Sequence, residues 1–173
     1  NNRDENMNFY VSVVDERTLH EIYLPGFKAA VDAGVMTVMT AANGIKYNYV
    51  SDDRTLLTDV LKHRWGFQGF VMTDWLGTRS THKAAWAGLD VSMPGGDQCG
   101  FGEPLLKAVR EGSVAESEID DKVRRVLRVY DALGLLDGSH DALPEPEMAT
   151  EEHCSVSRET AAEGRDLLKN ENK

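Results

Sequence analysis

The sequence has no apolar run of membrane-spanning length, only two cysteines, and a deficit of basic charge. Without a stretch of about 20 apolar residues no helix spans a bilayer. The chain opens at Asn1 in a polar stretch, with neither an initiator Met nor the apolar segment of a secretory leader; that start is compatible with a mature terminus or with a piece of a longer chain. Cys99 and Cys154 form no Cys-x-x-Cys and no metal-ligand spacing, so they read as two thiols, with a single disulfide open only in an oxidising compartment. Against 29 acidic residues stand 19 Lys and Arg, a formal charge of -10. Such a surface repels phosphate backbones and anionic lipid, which makes nucleic acid and membranes poor partners and leaves a neutral ligand unopposed. No glycine-rich phosphate loop follows any predicted strand. What remains is 173 residues, 41% hydrophobic and 28% charged, the length and balance of a soluble domain with a real core, cytoplasmic or secreted.

Helical periodicity alternates with short β-rich runs. Residues 15–33 place Leu19, Ile22, Tyr23, Phe27, Ala30 and Val31 on one helical face, with Pro25 as a kink or restart and Gly34 as a stop. The run VMTVMT over 35–40 reads as a buried strand. Asp52 or Asp53 is positioned to cap a second helix carrying Leu56, Leu57, Val60, Leu61 and Trp65, closed by Gly66. Strands at 69–73 and 89–93 flank a short helix at 80–87, and a helix at 103–111 ends at Gly112. Ser117 to Asp120 has capping-box spacing and opens a helix whose predicted inner face is Ile119, Val123, Val126, Leu127 and Tyr130. On that helix Lys122, Arg124, Arg125 and Arg128 read as the solvated side. Residues 138–149, with Gly138, Pro144 and Pro146, form a candidate linker before a last helix from Thr150. Strand and helix alternating with short connections give an α/β fold with parallel strands and right-handed crossovers. Three strands are too few for a closed barrel, and the opening residues have room for the tail of a fourth.

In parallel α/β folds functional side chains stand where strands end and loops begin. Asp74 stands there, after GFVMT and before Trp75. Taken alone, an acid at that point caps a helix or braces a loop as readily as it catalyses. Asp90 lies within a predicted strand, where a structural hydrogen bond is the expectation, and His82 falls on a short helix facing solvent.

Taken together, these segments resemble glycoside hydrolase family 3. WGFQGFVMTDW resembles the signature segment of that family, ERTLHEIYLPGF and AGLDVSMPGG resemble two further stretches, IDDKVRRVLRVYDALGLLD resembles the helix closing its barrel, and SRETAAEGRDLLKNE resembles the start of its second domain. The matches run in order along nearly the whole chain. The resemblance implies the second half of a (β/α)8 barrel over residues 1–137, a linker over 138–149, and the first helix of a second α/β domain over 150–173. It implies a retaining β-glycosidase of the two-domain β-glucosidase type, with Asp74 as nucleophile and Trp75 and Asn43 beside the sugar. The implied partners are a β-linked oligosaccharide or glycoside and the remainder of the parent chain. No metal or organic cofactor is implied.

The resemblance also implies a substrate-binding Lys-His pair upstream of Asn1 and an acid/base carboxylate in the second domain, so that the 173 residues alone are expected to be inactive. Two positions depart from the family pattern. Ala42 stands where a Tyr often lines the sugar site, and Ser92 stands where a Glu is usual. They leave open a β-xylosidase or natural-product glycosidase, or an inactive sugar-binding relative. Retaining hydrolysis needs two carboxyl groups across the glycosidic bond, roughly 5–5.5 Å apart, and a short carboxylate on a strand end suits the attacking one.

Overall fold

The computed structural model describes residues 6, 8–96, 100–138, 149–166 and 169. The described residues hold five short strands, β1 (Val11–Ser12), β2 (Thr37–Thr40), β3 (Gly44–Ile45), β4 (Asn48–Tyr49) and β5 (Phe70–Thr73). The first helix, α1, runs through three segments, Glu16–Thr18, Leu19–Tyr23 and Leu24–Asp32, the middle one wound wider than an α-helix. Asp15 caps it, its carboxylate accepting from Thr18 N at 2.9 Å, and Pro25 occupies the first turn of the third segment, where a missing N–H costs nothing. After a tight turn at Val50–Asp52 comes α2 (Thr55–Arg64), also widely wound. Of its two candidate caps Asp53 does the work, accepting from Leu56 N at 3.0 Å. Then follow α3 (Thr81–Ala87), α4 (Glu103–Arg110), α5 (Glu116–Ala132) and α6 (Glu151–Glu163).

The sheet that matters is β2 beside β5, parallel, with Thr37 opposite Phe70 and Thr40 opposite Thr73. Its register begins with a close approach. Phe70 N donates to Met36 O at 3.2 Å, and a Cβ on Gly69 would lie 1.8 Å from that same oxygen. Only glycine lets the two chains enter the sheet this closely. Leu57 and Leu61 of α2, Val71 of β5, Phe67, Ala84 and Leu89 form the main core, and a smaller cluster of Ala85, Ala108 and Val114 lies under α4.

Three expectations are corrected. The predicted strand at 89–93 shrinks to one parallel bridge, Met72 to Val91, because the Asp90 carboxylate takes the Val71 N–H at 2.8 Å that a ladder carbonyl would otherwise receive. The opening segment does hold a strand, β1, and it pairs with β3; β3 and β4 form a hairpin absent from the expected elements. The cap of α5 falls at Ala115, two residues before the expected Ser117, and it makes no side-chain capping bond. Instead Val114 and Ile119 meet in the smaller cluster, a hydrophobic staple across the helix start. The inner face of α5 is also rotated from the expected one. Lys122 and Val129 are buried, while Val123, Leu127 and Tyr130 are exposed.

On α1 only Leu19 of the expected apolar face is buried; Ile22, Tyr23 and Phe27 are exposed. The candidate linker lies outside the described residues except for Gly138 and Ala149, as do Cys99 and most of the LLKNENK tail. No helix among the described residues is long and apolar enough to cross a membrane.

Candidate functional site

The site is built on the carboxyl ends of β2 and β5. Asp74 directly follows β5, and its N–H donates to Thr40 O at the end of β2, 3.1 Å away. Its carboxylate is half-buried, and Oδ1 accepts from Trp75 N at 2.6 Å. A tight turn follows, closed by Gly77 N donating to Asp74 O at 2.9 Å. Leu76, third in that turn, has φ of 58°, a conformation that costs an L-residue with a bulky side chain about 1–2 kcal/mol. Strain of this kind persists where the surroundings over-determine the backbone, and it concentrates at functional turns. Here Leu76 N is held by Met93 O at 2.9 Å, and Gly77 O accepts from the buried Ser51 Oγ at 3.0 Å. Trp75 turns its ring outward and is 60% exposed, so its indole stands free as an apolar surface beside the carboxylate.

Asn43 lies just beyond the end of β2 and is buried, donating from Nδ2 to Gly44 O at 2.9 Å and to Ser12 Oγ at 3.2 Å. The structure therefore gathers Asp74, Trp75 and Asn43 at one end of the β2–β5 pair. It does not line a single cavity with them. An apolar cleft of about 810 Å³ between α1, β2 and α2 is bordered by Thr40 and Asn43 but by neither Asp74 nor Trp75. Ala42 is buried and its carbonyl accepts from Arg79, and Ser92 Oγ lies 2.5 Å from Thr78 Oγ1.

Asp90 has the hydrogen-bonding role expected of it. Its side chain is fully buried, with Oδ1 2.7 Å from Lys62 Nζ and Oδ2 accepting from Val71 N. Burial pushes the Asp90 carboxyl up and the Lys62 amine down, each opposed by the charge of the other. His82 is exposed, its Nε2 2.8 Å from Ser113 Oγ. Asp52 is raised by burial, against the bonds it accepts from Ser80 and Ser51. Among the described residues no three His, Cys, Asp or Glu side chains are grouped to hold a metal ion.

The sequence reading missed Arg79, which reaches Asn8 O at 2.8 Å, and it placed Lys122 and Arg125 on the solvated side of their helix, whereas Lys122 is buried against Ala85 O at 2.8 Å and Arg125 is bonded to Phe67 O at 3.0 Å. Residue type alone gave no signal for any of the three.

The profile described as the glycosyl hydrolase family 3 N terminal domain matches residues 2–129. A β-glucosidase of Rhizobium radiobacter is 44% identical over 161 residues, covering 92% of this chain and 19% of that protein. Among solved structures, a β-glucosidase of Chaetomella raphigera superposes with a TM-score of 0.75 at 36% identity, over 97% of this chain and 25% of its own. An exo-1,3/1,4-β-glucanase from a Pseudoalteromonas species does so with a TM-score of 0.77 at 35% identity, over 92% and 22%. The chain thus spans about a fifth of the length of the relatives it matches.

Proposed function

The chain belongs to glycosyl hydrolase family 3, and from that premise we propose that its parent protein hydrolyses terminal β-glucosidic bonds with retention, using Asp74 as nucleophile. The observation that carries this reading is the strand-end carboxylate itself. Asp74 is fixed through its N–H to β2, followed by a strained turn, and flanked by an exposed indole. Its carboxylate attacks the anomeric carbon and forms a glycosyl-aspartate, while a second carboxyl group protonates the departing oxygen. Water then releases the sugar, with the second group acting as base. Trp75 offers a flat apolar surface to the sugar ring, and Asn43 supplies a polar contact in the same mouth. No metal or organic cofactor enters these steps.

The parallel β2–β5 pair and the bridge to Val91 are read as three neighbouring strand positions of a (β/α)8 barrel, supported by the likeness to solved relatives. Residues 1–137 form its second half, 138–149 a linker, and 150–173 the start of a second domain carrying the acid/base group. The remainder of the parent chain then covers the apolar surface that this chain leaves open on α1.

Steady-state kinetics of the complete protein test the assignment. Asp74→Asn keeps the shape and removes the attacking charge, and kcat on p-nitrophenyl β-glucoside is expected to fall on the order of 10⁴–10⁶-fold with folding intact. Normal turnover in that variant would remove Asp74 from the role. Absence of turnover in the wild type would favour the sugar-binding relative.

A further inference from the structure

We propose that Arg79 is a positioning residue of this site, the tie that holds the turn carrying Asp74 and Trp75 against the segment carrying Asn43. The proposal rests on the reading of Asp74 as nucleophile. Three stretches of chain meet at this guanidinium. Its own loop starts at Asp74. Its Nη2 donates to Asn8 O at 2.8 Å, 71 residues away in sequence, and to Ala42 O at 3.3 Å, 37 residues away. Its face lies 4.8 Å from the centre of the Tyr49 ring in β4 and 5.9 Å from that of Phe9. Tyr49 Oη in turn donates to the same Asn8 carbonyl at 3.4 Å.

Besides the backbone bond of Asp74 N to Thr40 O at 3.1 Å, the side-chain ties of the loop among the described residues run elsewhere. Gly77 O accepts from Ser51 Oγ, Ser80 Oγ donates to Asp52 at 3.1 Å, and Thr78 meets Ser92. These fasten the loop to the tight turn before α2 and to the segment after Val91. Among the described residues Arg79 is the side chain that fastens it to the Ala42–Asn43 segment, through Ala42 O. The task suits a planar cation, because one group must donate to carbonyls in its plane while its face stacks on an aromatic ring; a lysine ammonium has no plane with which to do both at once.

The junction is also not optimised for stability. Arg79 Nε, Asn8 Oδ1, Asn43 Oδ1 and Thr40 Oγ1 are all buried without a partner among the described residues. Buried polar atoms are ordinarily paired, and exceptions gather where function sets the geometry. Arg79 thereby sets the separation between the Asp74 turn and Asn43.

Kinetics and thermal melts of the complete protein test this. Arg79→Ala is expected to lower kcat on p-nitrophenyl β-glucoside about 10–100-fold, the scale of an ångström of misplacement, with a smaller change in KM. Arg79→Lys is expected to fall between Ala and wild type, and Tyr49→Leu to lose part of the same kcat. The pair Arg79→Ala with Tyr49→Leu should add little to Arg79→Ala alone, because both remove one interaction. A lower Tm with kcat within about twofold of wild type would mean Arg79 is structural only and would overturn the proposal. Should Arg79→Ala fail to fold, normal kcat in folded Arg79→Lys and Tyr49→Leu would overturn it equally. Loss of activity in Asp74→Asn beside normal activity in the Arg79 variants sinks only the positioning role; normal activity in Asp74→Asn sinks the site itself.

Discussion

Lys122 is a cation held away from water. Burial pulls its amine down from the ordinary 10.5 to about 8, against the nearby charges of Asp90, Glu118 and Asp121, and its one hydrogen bond among those described runs to Ala85 O. A lysine with a depressed folded value contributes stability that is present above 10.5 and is lost as pH falls through about 8. Comparison with Lys122→Met isolates this group, since the methionine keeps the stem and Ala85 O keeps the Gly88 N–H as donor. From pH 8 to 10.5, wild type is expected to gain roughly 2–3 kcal/mol relative to the variant. Denaturation curves of both proteins across that window check it; a constant difference would mean a solvated amine. At this scale Asp74 was legible because a strand end is a position that sequence shows. Lys122 was not, because a charged residue on a helix carries no mark of which way the helix is rotated. Arg79 was not, because its partners lie 71 and 37 residues away.

Helix α5 acts as a clamp on the chain entering β5. Arg125 donates from Nη1 to Phe67 O at 3.0 Å and to Gly69 O at 3.1 Å, and Arg128 donates to Gln68 O at 2.6 Å. Arg124 instead faces solvent beside Asp120. Arg125→Ala is therefore expected to cost about 1.5–3 kcal/mol and Arg124→Ala less than about 0.5 kcal/mol; equal losses in chemical denaturation of the complete protein would refute the clamp. Gly69→Ala should be worse than either, because its methyl would meet Met36 O inside the β2–β5 register. The elements legible in sequence were those with strong periodicity: β2, β5, α3, α4 and the start of α2. The β3–β4 hairpin was not legible, because its turn has positive φ at Lys46 rather than at a glycine. Gly44 sits within the strand, where a Cβ would come within 2.9 Å of Asn48 O. The third strand was overestimated because a buried side chain, that of Asp90, does a backbone carbonyl's work.

On the scale of the whole molecule, apolar surface is left open on two sides. Tyr23 of α1 and Met39 of β2 are 53% and 60% exposed at the cleft, Ile22 of α1 is 69% exposed, and Val123, Leu127 and Tyr130 form a row on α5. Large exposed apolar patches mark surfaces that meet other polypeptide, and the chain spans only about a quarter of the solved relative from Chaetomella raphigera. Purified alone, the 173 residues are expected not to turn over p-nitrophenyl β-glucoside, since a missing general acid alone costs about 10²–10⁴-fold. Activity equal to that of the complete protein would show that these residues hold their own acid. The central claim, that Asp74 attacks the anomeric carbon, is tested most directly by trapping the intermediate. The complete protein is treated with 2-deoxy-2-fluoro-β-glucosyl fluoride, digested, and its peptides are read by mass spectrometry. One added fluoroglucosyl group on the Asp74 side chain is the expected result; a label on any other carboxylate would exclude Asp74 as the nucleophile.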